Sequence, residues 1–211
     1  MTQEQQKFHN IKHYSNYKTV GKDVDYAVIV DHEQKTITLL FEESDSRTDW
    51  FNNLSFLPWP LKLENKTIWT THGYARAYSS AQNKPIDDFV SAYIENPDYK
   101  TIIQGWSFGS AMAKIAALHF ITKANYKNAK VLDELTTFGD VKCFLNPFIN
   151  LDKNIIRHRE YITANDLVTW CVPFYHRTKK CKVGERFRIR KAFKTEYYHT
   201  HYEEYDYSDF E

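Results

Sequence analysis

The sequence is short of the residues that punctuate, cross-link or greasily coat a chain. Only 6 glycines and 6 prolines occur among 211 residues, which excludes collagen-like and low-complexity polymers, and no stretch reads as a linker between two cores. The cysteines, Cys143, Cys171 and Cys181, are odd in number and lack CxxC spacing, which argues against a disulfide framework and a zinc site. They read as reduced and structural, although Cys171 and Cys181 could pair in an oxidising compartment. Neither sign of charge dominates: 28 Lys and Arg face 27 Asp and Glu, so the chain is no polyelectrolyte and offers no whole-chain case for nucleic-acid binding. The longest mostly apolar run, Ile115 to Ile121, is broken by His119 and is far too short to span a bilayer. With a mean hydropathy of -0.62, the expectation is a soluble protein. The leader MTQEQQKFHNIKHYSNY carries charges and amides where an export signal needs an unbroken apolar stretch, leaving the cytoplasm as the default location.

What is present is enough apolar material for a core: 42% hydrophobic and 16% aromatic residues. The expectation is a single domain over 1–211, with a lead segment at 1–20 compatible with a helix and an acidic tail at 203–211. Tyr26-Ala-Val-Ile-Val30 and Thr36-Ile-Thr-Leu-Leu-Phe41, separated by Asp-His-Glu-Gln-Lys, predict two antiparallel strands joined as a hairpin. A helix-compatible stretch follows at Asp49–Leu54, then a Pro-bounded turn at Leu57–Pro60. A longer helical region is expected from about Gly73 to Glu95, interrupted before Pro85. Tyr99–Gln104 reads as a short buried strand, Gly105-Trp-Ser-Phe-Gly109 as a turn, and Ser110–Ile121 as an Ala-rich apolar helix. Further strands are expected at Leu132–Phe138, Ile155–Ile162 and Arg186–Arg190. Strands alternating with helices predict an α/β fold with a mostly parallel central sheet flanked by helices.

Gly105-Trp106-Ser107-Phe108-Gly109 matches the G-x-S-x-G nucleophile elbow, in which a serine sits on a strained strand-to-helix turn. The glycines carry the physical meaning, because the turn brings flanking backbone too close for a Cβ. The helix that follows aims its positive end and free amides at the site, which favours a developing oxyanion. With 6 Gly in the chain, the pattern is expected by chance roughly once in a hundred such sequences, and its place between a strand and a helix strengthens it. A triad also needs an orienting acid and a base, in chain order Ser, acid, His. Asp166 follows an apolar strand, and Asp140 in Thr137-Phe-Gly-Asp140 competes with it. Of the histidines, His176, His199 and His201 follow Asp166, the last two flanked by tyrosines.

These residues resemble the class 3 lipases, the group that includes fungal triacylglycerol lipases. The resemblance runs from about Tyr26 to Tyr202. Gly105-Trp-Ser-Phe-Gly-Ser-Ala-Met-Ala113 is similar to the family's G-H-S-L-G-G-A-L-A. Phe41-Glu-Glu-Ser44, with Ser46, Asp49-Trp50 and Asn53-Leu54, resembles F-R-G-T-x-S-x-x-D-W-x-x-N-L. Thr71-His-Gly-Tyr-Ala-Arg-Ala-Tyr78, Thr137-Phe-Gly139, Asn165-Asp-Leu-Val168 and His199-Thr-His-Tyr202 resemble further motifs in the family's order.

The resemblance implies an α/β-hydrolase-like fold and acyl transfer without cofactor or metal, with Ser107 as nucleophile, Asp166 as acid and His199 as base. His201 is the alternative base. Backbone amides of Phe108 and Ser44 would form the oxyanion hole. Trp50, Phe51, Leu54, Phe56, Leu57 and Trp59 fall where the family covers or borders its acyl site, as a lid or acyl pocket, against which stands ordinary core packing. The implied substrate is a small-molecule or lipid ester. Two departures stand out: Glu42-Glu43 replace the family's Arg-Gly beside the oxyanion residue, and Trp106 replaces its histidine. The first adds negative charge where an oxyanion develops, so a catalytically impaired fold serving as a binding or interaction module is the rival reading. Nine Lys or Arg against one Glu between Arg177 and Lys194 could meet an anionic membrane surface or form a solvated strand face, the favoured reading. No nucleic-acid partner is expected, since no recognition fold accompanies the patch.

Overall fold

Strand formation begins where the β-branched runs are densest. Val24–Asp31 (β2) and Thr36–Phe41 (β3) pair antiparallel, Tyr26 opposite Phe41 and Asp31 opposite Thr36. The turn between them is closed by Asp31 Oδ1, which accepts from the Gln34 amide at 2.8 Å. A short strand, Lys18–Val20 (β1), extends this edge antiparallel to β2, and a helix, Gln3–His13 (α1), precedes it with Thr2 capping its first turn. The computed structural model describes residues 2–21, 24–42, 55–125, 132–146, 154–163, 166–170, 172, 174, 175, 184–189 and 202. The expected helix at Asp49–Leu54 lies outside the described residues.

From β3 onward the sheet grows by parallel addition: Lys100–Trp106 (β6), Leu132–Phe138 (β7), Ile155–Thr163 (β8) and Gly184–Ile189 (β9), in the spatial order β1-β2-β3-β6-β7-β8-β9. The four junctions from β3 to β9 are parallel, as strand–helix alternation predicts. Between β3 and β6 the chain forms a separate two-stranded hairpin, Pro58–Leu63 (β4) with Lys66–Thr71 (β5). This corrects the expected turn at Leu57–Pro60. Proline is tolerated on an edge strand that needs no ladder donor there, and the alternation that buries Leu61, Leu63 and Ile68 is the ordinary strand period.

Helices cover both faces. On one side lie His72–Ser80 (α2), Lys84–Glu95 (α3) and Phe108–Asn125 (α4). The break between α2 and α3 falls where expected, with Gln82 and Asn83 in the left-handed region and Pro85 in the first turn of α3. Ile37, Leu39, Phe41, Ile103 and Leu135 from the sheet pack there against Tyr74, Tyr78, Phe89 and Phe120. On the other face α1 presents Phe8 and Ile11 to Leu40, Trp106, Phe138, Tyr161 and Tyr202. The strand period divides β3 between the faces, Leu40 to the α1 side and Leu39 and Phe41 to the α4 side. No helix among the described residues is long and apolar enough to cross a membrane.

Candidate active site

The carboxyl edge of parallel strands is where α/β folds place their sites, and Ser107 sits there, one residue past β6 and one before α4. Its φ of 55° is left-handed, a conformation that costs a non-glycine residue of order 1–3 kcal/mol and persists only where neighbours enforce it. The enforcing contacts are visible. A Cβ on Gly105 would collide with the Gly109 carbonyl, and one on Gly109 would lie 2.5 Å from the Phe41 carbonyl oxygen and 2.7 Å from that of Glu42. The Ser107 amide donates to the Phe138 carbonyl at 3.0 Å, and the Ser110 amide to the Ser107 carbonyl at 2.9 Å. The elbow is therefore wedged between the ends of β3 and β7.

Phe108 opens α4, so its amide is among the helix's first N–H groups, which have no partner inside the helix, and its ring packs on Tyr74 at 5.7 Å. Ser107 itself is buried. Trp106, the departure from the family's histidine, is buried edge-on against Phe8 at 5.1 Å. The residue before the candidate nucleophile thus anchors α1 to the sheet.

Asp166 lies just past β8 and is buried. Its Oδ1 accepts from the Val168 amide at 3.1 Å, and its Oδ2 accepts from the Tyr202 hydroxyl at 3.1 Å. Tyr202 packs against Phe138 and Phe8, at 6.1 and 5.6 Å between ring centroids. Phe138 accepts the Ser107 amide, so Ser107, Phe138, Tyr202 and Asp166 form one connected group at the sheet edge. The competing acid, Asp140, is engaged elsewhere: Oδ1 lies 2.7 Å from Lys114 Nζ and accepts from Thr137 Oγ1 at 3.0 Å. Tyr202 enters the sequence only as the last residue of the His199-Thr-His-Tyr202 motif, and its hydrogen bond to Asp166, 36 positions away, is visible only in the fold.

His199, His201, His176 and Ser44 lie outside the described residues, as do Trp50, Phe51 and Leu54. The rest of the apolar cluster is described: Phe56, Leu57 and Trp59 are 38%, 68% and 50% exposed. The Phe56 carbonyl accepts from the Tyr175 hydroxyl at 2.9 Å, and Trp59 packs edge-on to His72 at 4.8 Å. These three are not core residues. Cys143 is a free, buried thiol that burial pushes up to about 12, so it stays protonated at neutral pH. Cys171 and Cys181 lie outside the described residues. Among the described residues no three or more His, Cys, Asp or Glu side chains converge as a metal site.

Comparison with known proteins places these features in context. The family model described as lipase (class 3) matches residues 38–176, more than half of the chain. A lipase from Rhizomucor miehei is 27% identical over 109 residues, covering 52% of this chain and 30% of the relative, so the match spans less than a third of that protein's length. The solved structure of Rhizomucor miehei triacylglyceride lipase superposes with a TM-score of 0.66 at 22% identity, covering 82% of this chain and 65% of the other. A triacylglycerol lipase reported to have a serine protease triad as its catalytic centre superposes with a TM-score of 0.66 at 21% identity over 83% of this chain and 66% of its own. Lipase II from Rhizopus niveus gives 0.57 at 21% identity, over 72% and 57%. The shared fold is that of the α/β-hydrolase-like lipases.

Proposed function

The chain belongs to the class 3 lipase family, and from that premise we propose that it is a serine hydrolase cleaving carboxylic esters of lipids, working as one domain over 1–211. Ser107 is the nucleophile, Asp166 the orienting acid and His199 the base, with His201 the alternative. The single observation that carries the reading is the left-handed Ser107 between β6 and α4, a strained geometry that an ordinary surface turn has no reason to hold. The buried Asp166–Tyr202 pair beside Phe138 supports it. His199 stands three residues before Tyr202, a span of at most about 11 Å of extended chain.

In this mechanism His199 takes the Ser107 hydroxyl proton as Oγ attacks the ester carbonyl. The developing oxyanion is met by the amides of Phe108 and Ser44, each worth about 3–4 kcal/mol in barrier. Collapse expels the alcohol with the proton from His199, and water then hydrolyses the acyl-enzyme by the reverse proton path. Trp50, Phe51, Leu54, Phe56, Leu57 and Trp59 border the acyl chain in this reading; the exposure of Phe56, Leu57 and Trp59 supports a surface that meets lipid. The basic segment 177–194 is read as solvated, and co-sedimentation with anionic vesicles tests a headgroup contact. Cytoplasmic action is tested by cell fractionation.

The deciding experiment is covalent labelling with a fluorophosphonate, on the wild type and on Ser107→Ala, with the modified peptide located by mass spectrometry. Labelling at Ser107 that is lost in the variant is expected. A folded wild type that takes no label refutes the hydrolase and returns the weight to a binding module disabled by Glu42-Glu43.

A further inference from the structure

Every residue of α4 from Gly109 to Ile121 is buried, and Lys114 stands in the middle of that run. A helix buried all round has no solvated face on which a lysine can place its ammonium. Lys114 Nζ lies 2.7 Å from Asp140 Oδ1 and donates to the Val141 carbonyl at 2.6 Å, with both side chains of the ion pair 0% exposed. Burial drags the Lys114 pKa down, and Asp140, Cys143 and Glu160 outweigh it, so the group is held above its ordinary value and stays charged.

Replacing a buried ion pair by apolar residues of similar volume is often neutral or stabilising. Stability alone therefore gives no reason for this pair, and its geometry does. The end of β7 and the residues just after it touch α4 and the elbow at three levels. The Phe138 carbonyl accepts the Ser107 amide at 3.0 Å, the Val141 amide donates to Ser110 Oγ at 3.2 Å, and Val141 and Asp140 hold Lys114. Ser107, Ser110 and Lys114 are spaced i, i+3, i+7, one stripe running down the helix. Thr137 donates to the same Asp140 oxygen, and the Asp140 amide donates to the Tyr161 carbonyl of β8 at 3.3 Å, so the anchor is itself tied to two strands.

We propose that Lys114 and Asp140 are positioning residues, a buried ionic clamp that fixes the register of α4 against residues 138–141 and thereby holds the Ser107 hydroxyl and the Phe108 amide in reacting geometry. The inference rests on the reading of Ser107 as a nucleophile. A clamp of this kind acts on the rate of the chemical step and leaves substrate binding alone, because misplacing reacting groups by an ångström costs about a hundredfold.

The test separates rate from stability. Lys114→Met leaves Asp140 charged and buried without its ammonium and should lower Tm sharply; Lys114→Met/Asp140→Asn removes both charges at matched volume and should regain most of that loss. If the pair positions the elbow, the double variant keeps KM for a soluble p-nitrophenyl ester while kcat and the phosphonate labelling rate stay at least tenfold below wild type, and amide exchange of the 107–110 segment accelerates. A double variant that recovers wild-type kcat, or wild-type exchange at 107–110, overturns the clamp. Should the double variant not fold, Asp140→Asn alone serves: unchanged kcat overturns the clamp, and a tenfold loss at constant KM upholds it. A wild type that takes no phosphonate refutes the hydrolase reading by itself, and the exchange measurement then still decides whether the pair holds the elbow.

Discussion

Substituting Gly109 by alanine tests the elbow at its tightest contact. The new methyl carbon would lie 2.5 Å from the Phe41 carbonyl oxygen, 2.7 Å from that of Glu42 and 2.9 Å from the Phe41 carbonyl carbon. All three are backbone atoms of the β3 end, so no flexible side chain can swing away. Restoring ordinary van der Waals contact requires the start of α4 to part from β3 by nearly an ångström. Overpacking of this kind costs about 1–3 kcal/mol, and the rigid partners place Gly109→Ala at the upper end. In a chain of this size each kcal/mol moves Tm by about 2–4 °C, so a drop of roughly 5–10 °C is expected in calorimetry. The same displacement moves the Phe108 amide, and a misplacement of about 1 Å costs on the order of a hundredfold in rate. The phosphonate labelling rate, measured well below the variant's Tm, should therefore fall about a hundredfold. Wild-type Tm together with wild-type labelling would refute both the packing argument and the role of this contact in the site.

Two further outcomes follow from groups with defined partners. Tyr202→Phe removes the donor to Asp166 Oδ2 from a buried site, so stability should fall by about 1.5–3 kcal/mol, the usual worth of a hydrogen bond to a charged group. Phosphonate labelling should fall about tenfold with it, and a variant with unchanged denaturation midpoint and rate would remove Tyr202 from the site. His119, on α4, meets Tyr78 through Nδ1 at 3.0 Å and Glu64 through Nε2 at 3.3 Å, with Lys123 and Asp87 also nearby. Burial holds its pKa below the ordinary value against the pull of Glu64. The unfolded chain therefore binds the proton more readily, and the stability that the neutral imidazole contributes is present above about pH 6.5 and lost as pH falls towards the folded value. Denaturation midpoints should drop between about pH 7.5 and pH 5.5 and do so less in His119→Gln; equal pH slopes would contradict the assignment. Glu134 does not confuse that window. Its burial is outweighed by Lys7 and Thr136, so its carboxyl is held low and titrates at more acid pH.

The parts of the fold that were legible are those whose signal is local. The hairpin of β2 and β3, the strand–elbow–helix of β6 and α4, and the strands β7 and β8 each carry a periodic apolar run, and periodicity survives whatever packs on it. The sequence of β4 reads as a turn because Pro58 and Pro60 bracket Trp59; only its pairing with Thr70 and Trp69 across the hairpin makes it a strand. The role of α1 was not legible, since Phe8 and Ile11 are the only two apolar residues of a polar helix until Trp106, Phe138 and Tyr202 surround Phe8. Lys114 is the sharpest case. A single cation in an apolar helix reads as a solvated position, and its partner Asp140, 26 residues away in the chain, looked instead like a second candidate acid. The strand-to-helix turn that carries Ser107 and the position of Asp166 just past β8 were legible because motif and element order agreed.

Glu42 continues the ladder, its amide donating to the Asp25 carbonyl at 3.1 Å, so the strand period carries its side chain to the side of Leu40, the α1 face. Its electrostatic neighbour there is Tyr17, whose phenol is pushed above its ordinary pKa by burial first and by Glu42 next, and whose hydroxyl donates to the Ile11 carbonyl of α1. The body of α4 packs on the opposite face of the sheet. In the proposed mechanism a carboxylate held beside Tyr17 would act on the oxyanion from the other face of the sheet, where a screened unit charge contributes little. Neutralising it as Glu42→Gln should therefore change kcat less than about threefold. A large gain in kcat from Glu42→Gln alone would mean that this carboxylate faces the oxyanion after all.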